Sequence, residues 1–295
     1  MSTIYARPGN LGEALHLLAQ PGARPLGGGT DLAGQLDRGL TSAATIVDLQ
    51  SLGLGGFTAT ATGVRVGGMT TLADVAVSDA LEPWTVVREA ASAAASPILR
   101  NQGTVGGNLC QHTRCWYYRG EEWHCWLGGG ATCYAQIGDH RKHGLEPGDC
   151  ISAHPSDLAP ALAACGALVD VRSAGGSREL ELLDLYRRPT AENRSLLALE
   201  PGELAAAVRL PAPPDASAYR RLGERAAFSF PLVSVAAARR GEETTLVAAG
   251  VANVPRRLDP SDPLAELPGN PQSAWKRRAL ATLVERALAD VSPGS

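Results

Sequence analysis

The chain has 295 residues, a length that suits two or three subdomains rather than one small core. Its content of 44% hydrophobic and 19% charged residues is typical of a folded soluble protein. The net charge of -3 gives no electrostatic reason to expect nucleic acid, and no apolar run approaches the roughly 20 residues that span a bilayer.

The N-terminal sequence predicts the cellular compartment, and the cysteines predict the chemistry of the chain. No basic segment followed by an apolar one opens the chain, so no secretory signal of its own is expected and the predicted location is cytoplasmic. Export to the periplasm, already folded, with a partner that bears a twin-arginine signal is the alternative. The chain has six cysteines, and clustered cysteines in such a chain indicate metal binding or redox chemistry rather than a disulfide scaffold.

The N-terminal part alternates short strands and helices. A glycine-rich segment, LGGGTDL at 26–32, lies between the second strand and the second helix. Three successive glycines let backbone N–H groups approach an anion without a Cβ in the way, which favours phosphate binding. A simple tight turn before a helix is the alternative. The predicted elements here are strands at 4–6, 24–26 and 44–48, a helix from 11 that Asn10 caps and Gly22 ends, and a helix at 33–38.

The rest of the chain predicts an antiparallel arrangement with a closing helix. A second glycine-rich segment at 101–108 is another place where backbone can approach a ligand closely. Pro97 is expected to stop the helix that precedes it, and Ser156 to cap the helix that follows. The predicted elements are strands near 57–60, 63–68, 167–172, 178–182, 203–210, 219–222, 233–238 and 245–251, and helices at 84–95, 158–165 and 273–289.

Five of the six cysteines and five of the six histidines lie between residues 99 and 160. Four of these cysteines, separated by 9, 7 and 16 residues, could supply the thiolates for one [4Fe-4S] cluster or one tetrahedral zinc ion. Disulfides or unligated thiols are the third alternative. The closely paired cysteines typical of zinc sites are absent, which favours the cluster. Cys110 is the main rival ligand, and Cys165 is typical of a buried apolar thiol. The predicted metal ligands are Cys115, Cys125, Cys133 and Cys150.

Three segments in this order, LGGGTDL at 26–32, LRNQGTVGGNL at 99–109 and SDLAPAL at 156–162, together resemble the FAD-binding subunit of the molybdenum hydroxylases. That family includes xanthine dehydrogenase, carbon monoxide dehydrogenase and aldehyde oxidoreductases, and the resemblance covers essentially the whole chain. It implies an α+β fold, with a two-part FAD-binding domain of the vanillyl-alcohol-oxidase (PCMH) type and a C-terminal antiparallel-sheet-plus-helix domain. The implied segments are 1–55, 56–178 with a cysteine-rich insert at about 110–152, and 179–295.

The resemblance also implies residues that bind the cofactor. Thr104, Gly107 and Asn108 would lie against the flavin and its linker. Asp157 would accept hydrogen bonds from FAD hydroxyls, although an acidic residue there also stabilises a helix N-terminus. The backbone at Leu204 and Ala205 would meet the adenine or the ring edge, and Arg221 would lie near the flavin. The residues implied for the pyrophosphate are Arg24, Pro25, Leu26, Gly27, Gly28, Gly29, Thr30, Asp31 and Leu32.

The insert indicates which members of this family the chain resembles most. Ordinary members pass almost directly from the GGN segment to the SDL helix, whereas about forty residues intervene here, too many for a structureless loop in a compact domain. The segments 113–118 and 150–157 resemble the iron–sulfur insert of periplasmic-type bacterial aldehyde oxidoreductases. Because relatives without an insert already move electrons directly to FAD, a mainly structural clasp is favoured over an additional redox station.

The function that the resemblance implies is electron transfer within a heterotrimer. Electrons would pass from a large molybdopterin-binding subunit through [2Fe-2S] centres in a small subunit to FAD in this chain, and then to an external acceptor. The flavin does that chemistry, so no catalytic side chain is named. The two alternatives are a free-standing FAD oxidoreductase of the vanillyl-alcohol-oxidase fold and a zinc-stabilised binding protein without flavin.

Overall fold

The computed structural model describes residues 3–293. Its N-terminal unit is a three-stranded parallel sheet with two helices. Its strands lie in the order β1-β3-β2. The first helix begins where Asn10 Oδ1 accepts the N–H of Glu13 at 2.9 Å, as predicted. The elements are β1 (Ile4–Ala6), α1 (Leu11–Leu18), β2 (Ala23–Leu26), α2 (Leu32–Asp37) and β3 (Thr45–Asp48).

The second sheet has five strands, in the order β4-β5-β8-β6-β7, and its pairings are antiparallel. Strand β8 lies between β5 and β6, with Val208 opposite both Val66 and Val169. This sheet therefore joins residues on both sides of the predicted boundary at 178, and the three segment boundaries stay predictions. The strands are β4 (Phe57–Ala59), β5 (Val64–Gly67), β6 (Leu168–Ser173), β7 (Gly176–Glu181) and β8 (Leu204–Leu210).

Four helices connect the first strands of this sheet to the insert. The prediction that Pro97 stops a helix was incomplete, because α4 already ends at Ala93 and Pro97 opens the next helix. Proline is accepted at a first helical position, where its missing N–H is not needed, and Ser96 Oγ accepts the N–H of Leu99. The helices are α3 (Leu72–Val77), α4 (Thr85–Ala93), α5 (Pro97–Arg100) and α6 (Val105–Leu109).

The cysteine-rich insert forms short turns around a small core of its own. Its two helices are α7 (Trp116–Arg119) and α8 (Tyr134–Ile137), with a single 3-10 turn between them at Trp126–Gly128. After the insert the chain enters α9 (Leu158–Ala164), every residue of which is buried. Ser156 caps α9 as predicted, since its Oγ accepts the N–H of Ala159 at 2.9 Å.

The C-terminal unit is a four-stranded antiparallel sheet covered by one long helix. The buried side chains of β10 alternate between two cores, with Val233, Val235 and Ala237 in the core that the helix closes. This arrangement confirms the predicted fold class. No helix within residues 3–293 has the length and hydropathy to cross a membrane. The elements are β9 (Ala216–Gly223), β10 (Pro231–Arg240), β11 (Glu243–Ala249), β12 (Arg256–Leu258) and α10 (Ala274–Val291).

Candidate cofactor sites

The two glycine-rich segments lie against each other. A Cβ on Gly28 would come within 1.7 Å of the carbonyl oxygen of Gln102, so only glycine allows this contact. A Cβ on Gly27 would lie 3.0 Å from Thr104 Oγ1, and one on Gly103 would lie 3.7 Å from Thr30 Oγ1. Two predicted binding segments about seventy residues apart therefore form one surface of closely packed backbone.

This surface carries unused hydrogen-bond donors. Among the hydrogen bonds of the described chain, none is donated by the backbone N–H groups of Gly28, Gly29 or Thr30. Gly29 has a φ of +71°, a conformation that glycine adopts without strain. Unused N–H groups on a turn form a concave donor surface that suits a phosphate group.

The second glycine segment is fixed from both sides. Thr104 is 4% exposed, and its Oγ1 accepts the N–H of Gly107 at 3.1 Å and so caps α6. A Cβ on Gly106 would lie 3.2 Å from the carbonyl oxygen of Ala205. The backbone of Ala205, a predicted cofactor residue, thus lies behind this segment. Leu204 beside it is buried in the core under the first sheet.

The third motif is joined to the second by side chains. Ser156 Oγ donates to Asn108 Oδ1 at 2.6 Å. Asp157 is buried, and its Oδ1 accepts a hydrogen bond from the Tyr219 hydroxyl at 2.6 Å and pairs with Arg221 Nε at 3.1 Å. Burial raises the pKa of Asp157 to about 6, although Arg221 and Tyr219 oppose that shift. Two residues predicted to contact FAD separately, Asp157 and Arg221, therefore contact each other.

Arg221 also anchors the loop at 224–230. Its Nη2 donates to the carbonyl oxygen of Ser229 at 2.7 Å, and its Nη1 donates to the carbonyl oxygen of Ala93 at 2.6 Å. The ring of Phe230 lies under the Arg114 guanidinium, 4.4 Å from ring centroid to carbon. The loop is thus fixed both to Asp157, through Arg221, and to the beginning of the insert.

Asp31, predicted to bind the pyrophosphate, points its side chain at the insert instead. Its Oδ1 accepts from Arg119 Nη2 at 2.9 Å and also from Arg114, while its Oδ2 accepts the His112 N–H at 2.9 Å. Burial alone would raise the pKa of Asp31, but Arg114 and Arg119 lower it below its usual range. An ionised carboxylate repels phosphate, so this side chain is not suited to bind the pyrophosphate. Its contacts with Arg114, Arg119 and His112 instead fix the insert to the glycine loop.

The four predicted cysteine ligands are mutually connected. The neighbouring Cys150 thiol is the main reason that the pKa of Cys133 lies well below its usual range. Cys115 lies close enough to Cys125 and Cys133 for their negative charges to interact. Burial raises the pKa of Cys115 to about 11, so a bound metal would be needed to keep that thiolate ionised at neutral pH.

Three of these cysteines occupy the position before a helical turn. Cys115 precedes α7, Cys125 precedes the 3-10 turn and Cys133 precedes α8. The backbone N–H groups of each following turn act to lower the pKa of all three thiols, against the effect of burial. Converging N–H groups stabilise thiolate, the form that binds metal.

Cys110 and Cys165 lie in a different core. Both belong to the large cluster around α4, α6 and α9, whereas Cys115, Cys125 and Cys133 line the small core of the insert. Burial raises the pKa of Cys110 and of Cys165 to about 12. This placement separates them from the four candidate ligands.

Several residues that hold the insert were missed by the sequence analysis. Arg194 Nη1 donates to the carbonyl oxygens of Trp126 and Gly130, at 2.5 and 2.8 Å, and its guanidinium stacks on the Trp126 ring. His143, to which the sequence analysis assigned no role, contacts Cys115. No local pattern marks Arg194 or His143, because their partners are brought near by the tertiary fold.

The comparisons with known proteins identify the family. A family model described as the FAD binding domain in molybdopterin dehydrogenase matches residues 1–213. The aldehyde oxidoreductase FAD-binding subunit PaoB of Escherichia coli K12 is 35% identical over 257 residues, which cover 84% of this chain and 81% of that protein. The carbon monoxide dehydrogenase medium chain of Afipia carboxidovorans is 28% identical over 262 residues, 85% of this chain and 75% of that one.

Solved structures agree on the fold. Reconstituted CO dehydrogenase from Oligotropha carboxidovorans superposes with a TM-score of 0.73 at 23% identity, over 99% of this chain and 98% of that one. Quinoline 2-oxidoreductase from Pseudomonas putida 86 gives a TM-score of 0.70 at 19% identity, over 99% and 97%.

These matches define an oxidoreductase flavoprotein subunit. The chain belongs to the family of FAD-binding subunits of the molybdenum hydroxylases. The predicted family is confirmed, and with it FAD as the cofactor, so the binding protein without flavin is set aside.

Proposed function

We propose that this chain passes electrons from [2Fe-2S] centres of a small partner subunit through FAD to an external acceptor, in a complex whose large subunit binds molybdopterin. The observation that carries the proposal is the contact of the two glycine segments at Gly28 and Gln102, with unused N–H groups beside it. When bound, FAD accepts and releases electrons singly or in pairs. The relative PaoB, named as an aldehyde oxidoreductase subunit, favours an aldehyde as the substrate of the whole complex.

The residues of this chain would hold the cofactor mainly by backbone. The N–H groups of Gly28, Gly29 and Thr30 would bind the pyrophosphate, because they are free and lie in succession on one turn. Thr104 and Gly107 would face the cofactor linker from the opposing segment. We assign Asp31 a positioning role, since its carboxylate is occupied by Arg114 and Arg119.

Asp157 and Arg221 would act as a buried pair that positions the flavin side of the site. Asp157 joins α9 to β9 through Tyr219 and Arg221, and Arg221 then fixes the carbonyl oxygen of Ser229. Truncating either partner of such a pair leaves an uncompensated buried charge. Direct contact of Asp157 with FAD hydroxyls, as the resemblance implies, stays a prediction.

We further propose that Cys115, Cys125, Cys133 and Cys150 hold a [4Fe-4S] cluster. These four thiols interact electrostatically, and N–H groups at three helical turns favour the ionised form of Cys115, Cys125 and Cys133. The absence of the closely paired cysteines typical of zinc sites favours the cluster over zinc.

The cluster would act as a clasp on the FAD site. The insert leaves the chain just after Asn108 and returns just before Ser156, and these two residues are hydrogen-bonded. Closing a loop of this length with metal ligands removes conformational entropy from the unfolded chain and holds both flanks in place. Loss of metal would then disturb the segment at 104–108 even if the cluster carries no electrons.

The proposed function is tested on the purified complex under anaerobic conditions with an aldehyde as reductant. We expect FAD to be released on denaturation, and its absorbance to bleach when substrate is added. A free-standing oxidoreductase would instead reduce its flavin with no partner subunit present, which would contradict the proposal. A [4Fe-4S] cluster that stays oxidised while FAD and the [2Fe-2S] centres are reduced supports the clasp.

The location of the chain in the cytoplasm, or in the periplasm with a partner, stays a prediction.

A further inference from the structure

His143 lies inside the insert beside one of the candidate cluster ligands. The residue is 2% exposed, and its Nε2 is 3.1 Å from Cys115 Sγ. Its ring meets the Trp116 ring edge-on, with centroids 4.6 Å apart and planes at 86°. The imidazole is therefore held in one orientation by packing on one side and by sulfur on the other.

The direction of the hydrogen bond follows from the other ring nitrogen. His143 Nδ1 is buried and has no hydrogen-bond partner within the described chain. A neutral imidazole carries one N–H and one lone pair. A proton on Nδ1 would leave a buried donor unsatisfied, whereas a proton on Nε2 is used by Cys115 and leaves only an acceptor unfilled. The favoured tautomer donates its N–H to the sulfur.

The C-terminal unit holds the backbone of this histidine. Lys276 on α10 is fully buried, and its Nζ donates to the carbonyl oxygens of Lys142 and His143 at 2.9 and 2.8 Å. Trp275 Nε1 donates to the carbonyl oxygen of Arg141 at 3.2 Å. A lysine in the apolar face of a helix is costly unless its donors find acceptors, and two of them do so here. The closing helix thus sets the position of the imidazole.

We propose that His143 is a positioning residue for Cys115, donating its Nε2–H to the thiolate that binds the cluster, and that Lys276 holds it there. This inference rests on the [4Fe-4S] cluster proposed above. Hydrogen bonds to cluster sulfurs stabilise the more negative, reduced state and so raise the reduction potential. His143 would thereby influence whether the proposed cluster is oxidised or reduced in the resting protein.

The test compares two substitutions in the full chain. His143→Phe keeps an aromatic ring at this position but removes the hydrogen-bond donor. His143→Gln restores an N–H near the position of Nε2. In a redox titration followed by electron paramagnetic resonance, we expect His143→Phe to make reduction about tenfold less favourable, about 59 mV lower for one electron. His143→Gln should recover most of that difference. The exposed His124, changed to Phe, is the matched control and should leave the potential unchanged.

Iron analysis keeps the two proposals separate. Wild-type protein without iron would contradict the proposed cluster, whereas full iron with equal potentials in wild type and His143→Phe would overturn the role of His143. Should His143→Phe purify without iron, the wild-type protein labelled with 15N-histidine and cryoreduced provides the second measurement. A weak nitrogen coupling that disappears in His143→Gln supports the hydrogen bond. No coupling, or the strong coupling of a directly bound nitrogen, overturns it.

Discussion

The glycine segments contact each other through backbone, whereas the cysteine-rich insert is held by side chains from distant parts of the chain. At Gly28, a single added carbon would meet the Gln102 carbonyl at 1.7 Å. The insert instead depends on Asp31 from the loop before α2, Arg194 from the loop after β7 and Lys276 from the last helix. The structure of the glycine segments is therefore sensitive to added side-chain atoms, whereas the structure of the insert is sensitive to the loss of a polar partner.

This difference predicts that the two cofactors respond to different substitutions. Bulk in the glycine segments should release FAD and leave iron in place. Loss of a thiol or of an ion pair in the insert should release iron first, and should affect FAD only through the flanks at Asn108 and Ser156, which are hydrogen-bonded to each other. The following substitutions test whether this separation holds.

The largest effect is expected for Cys133→Ser. This thiol interacts with Cys115, Cys125 and Cys150, so its loss should reduce iron and acid-labile sulfide from about four per chain to nearly none. Cys165→Ser, a buried thiol outside the insert, is the control and should keep its iron. Retention of iron in Cys133→Ser together with its loss in a Cys110→Ser variant would show that the ligand set is wrong.

Gly28→Ala should release FAD. The new methyl group must displace the Gln102 carbonyl, and overpacking of this kind costs about 1–3 kcal/mol. The ratio of FAD to protein after purification should fall severalfold while iron stays constant. The control is Gly34→Ala in α2, where a Cβ meets no atom within 4 Å. Unchanged flavin in Gly28→Ala would disprove the assignment of this segment.

Asp31→Asn should weaken the connection between the two regions. Losing charge-assisted bonds to Arg114 and Arg119 should lower the free energy of unfolding by about 1–3 kcal/mol at pH 7. Because the folded-state pKa of Asp31 is lowered, its contribution is present above the unfolded pKa and is lost as pH falls through the folded one. The difference between wild type and variant in urea unfolding should therefore shrink in acid.

The control for that experiment is Asp37→Asn, an exposed carboxylate in α2, the helix that Asp31 precedes, which should unfold like wild type at every pH. A difference between Asp31→Asn and wild type that stayed constant from neutral to acid pH would mean that the charge of Asp31 is not what stabilises the insert.

The smallest effect is expected for Arg194→Lys. Lysine keeps the charge but loses the planar group that stacks on Trp126 while reaching two carbonyl oxygens. We expect a loss of about 1 kcal/mol and a severalfold faster release of iron to a chelator, with FAD unchanged. Equal release rates in Arg194→Lys and wild type would show that the loop after β7 does not hold the insert.

The glycine segments were predictable from the sequence because their signal is local. Glycine runs after a strand and before a helix mark close backbone approach, and the helix caps at Asn10 and Ser156 follow from side-chain chemistry within four residues. The contacts of Asp31 with Arg119 and of Lys276 with His143 span 88 and 133 residues, and no periodicity connects them. The partners of Asp157 and Arg221 were missed for the same reason.

The most direct test of the account is the cofactor content of the wild-type chain, purified without oxygen. FAD is quantified after denaturation, metals by elemental analysis and the iron type by Mössbauer spectroscopy. The account predicts one FAD together with about four iron atoms and four sulfides per chain, in a single [4Fe-4S] spectrum. Flavin accompanied by one zinc ion, or by no metal at all, would contradict the claim that the insert is built around a cluster.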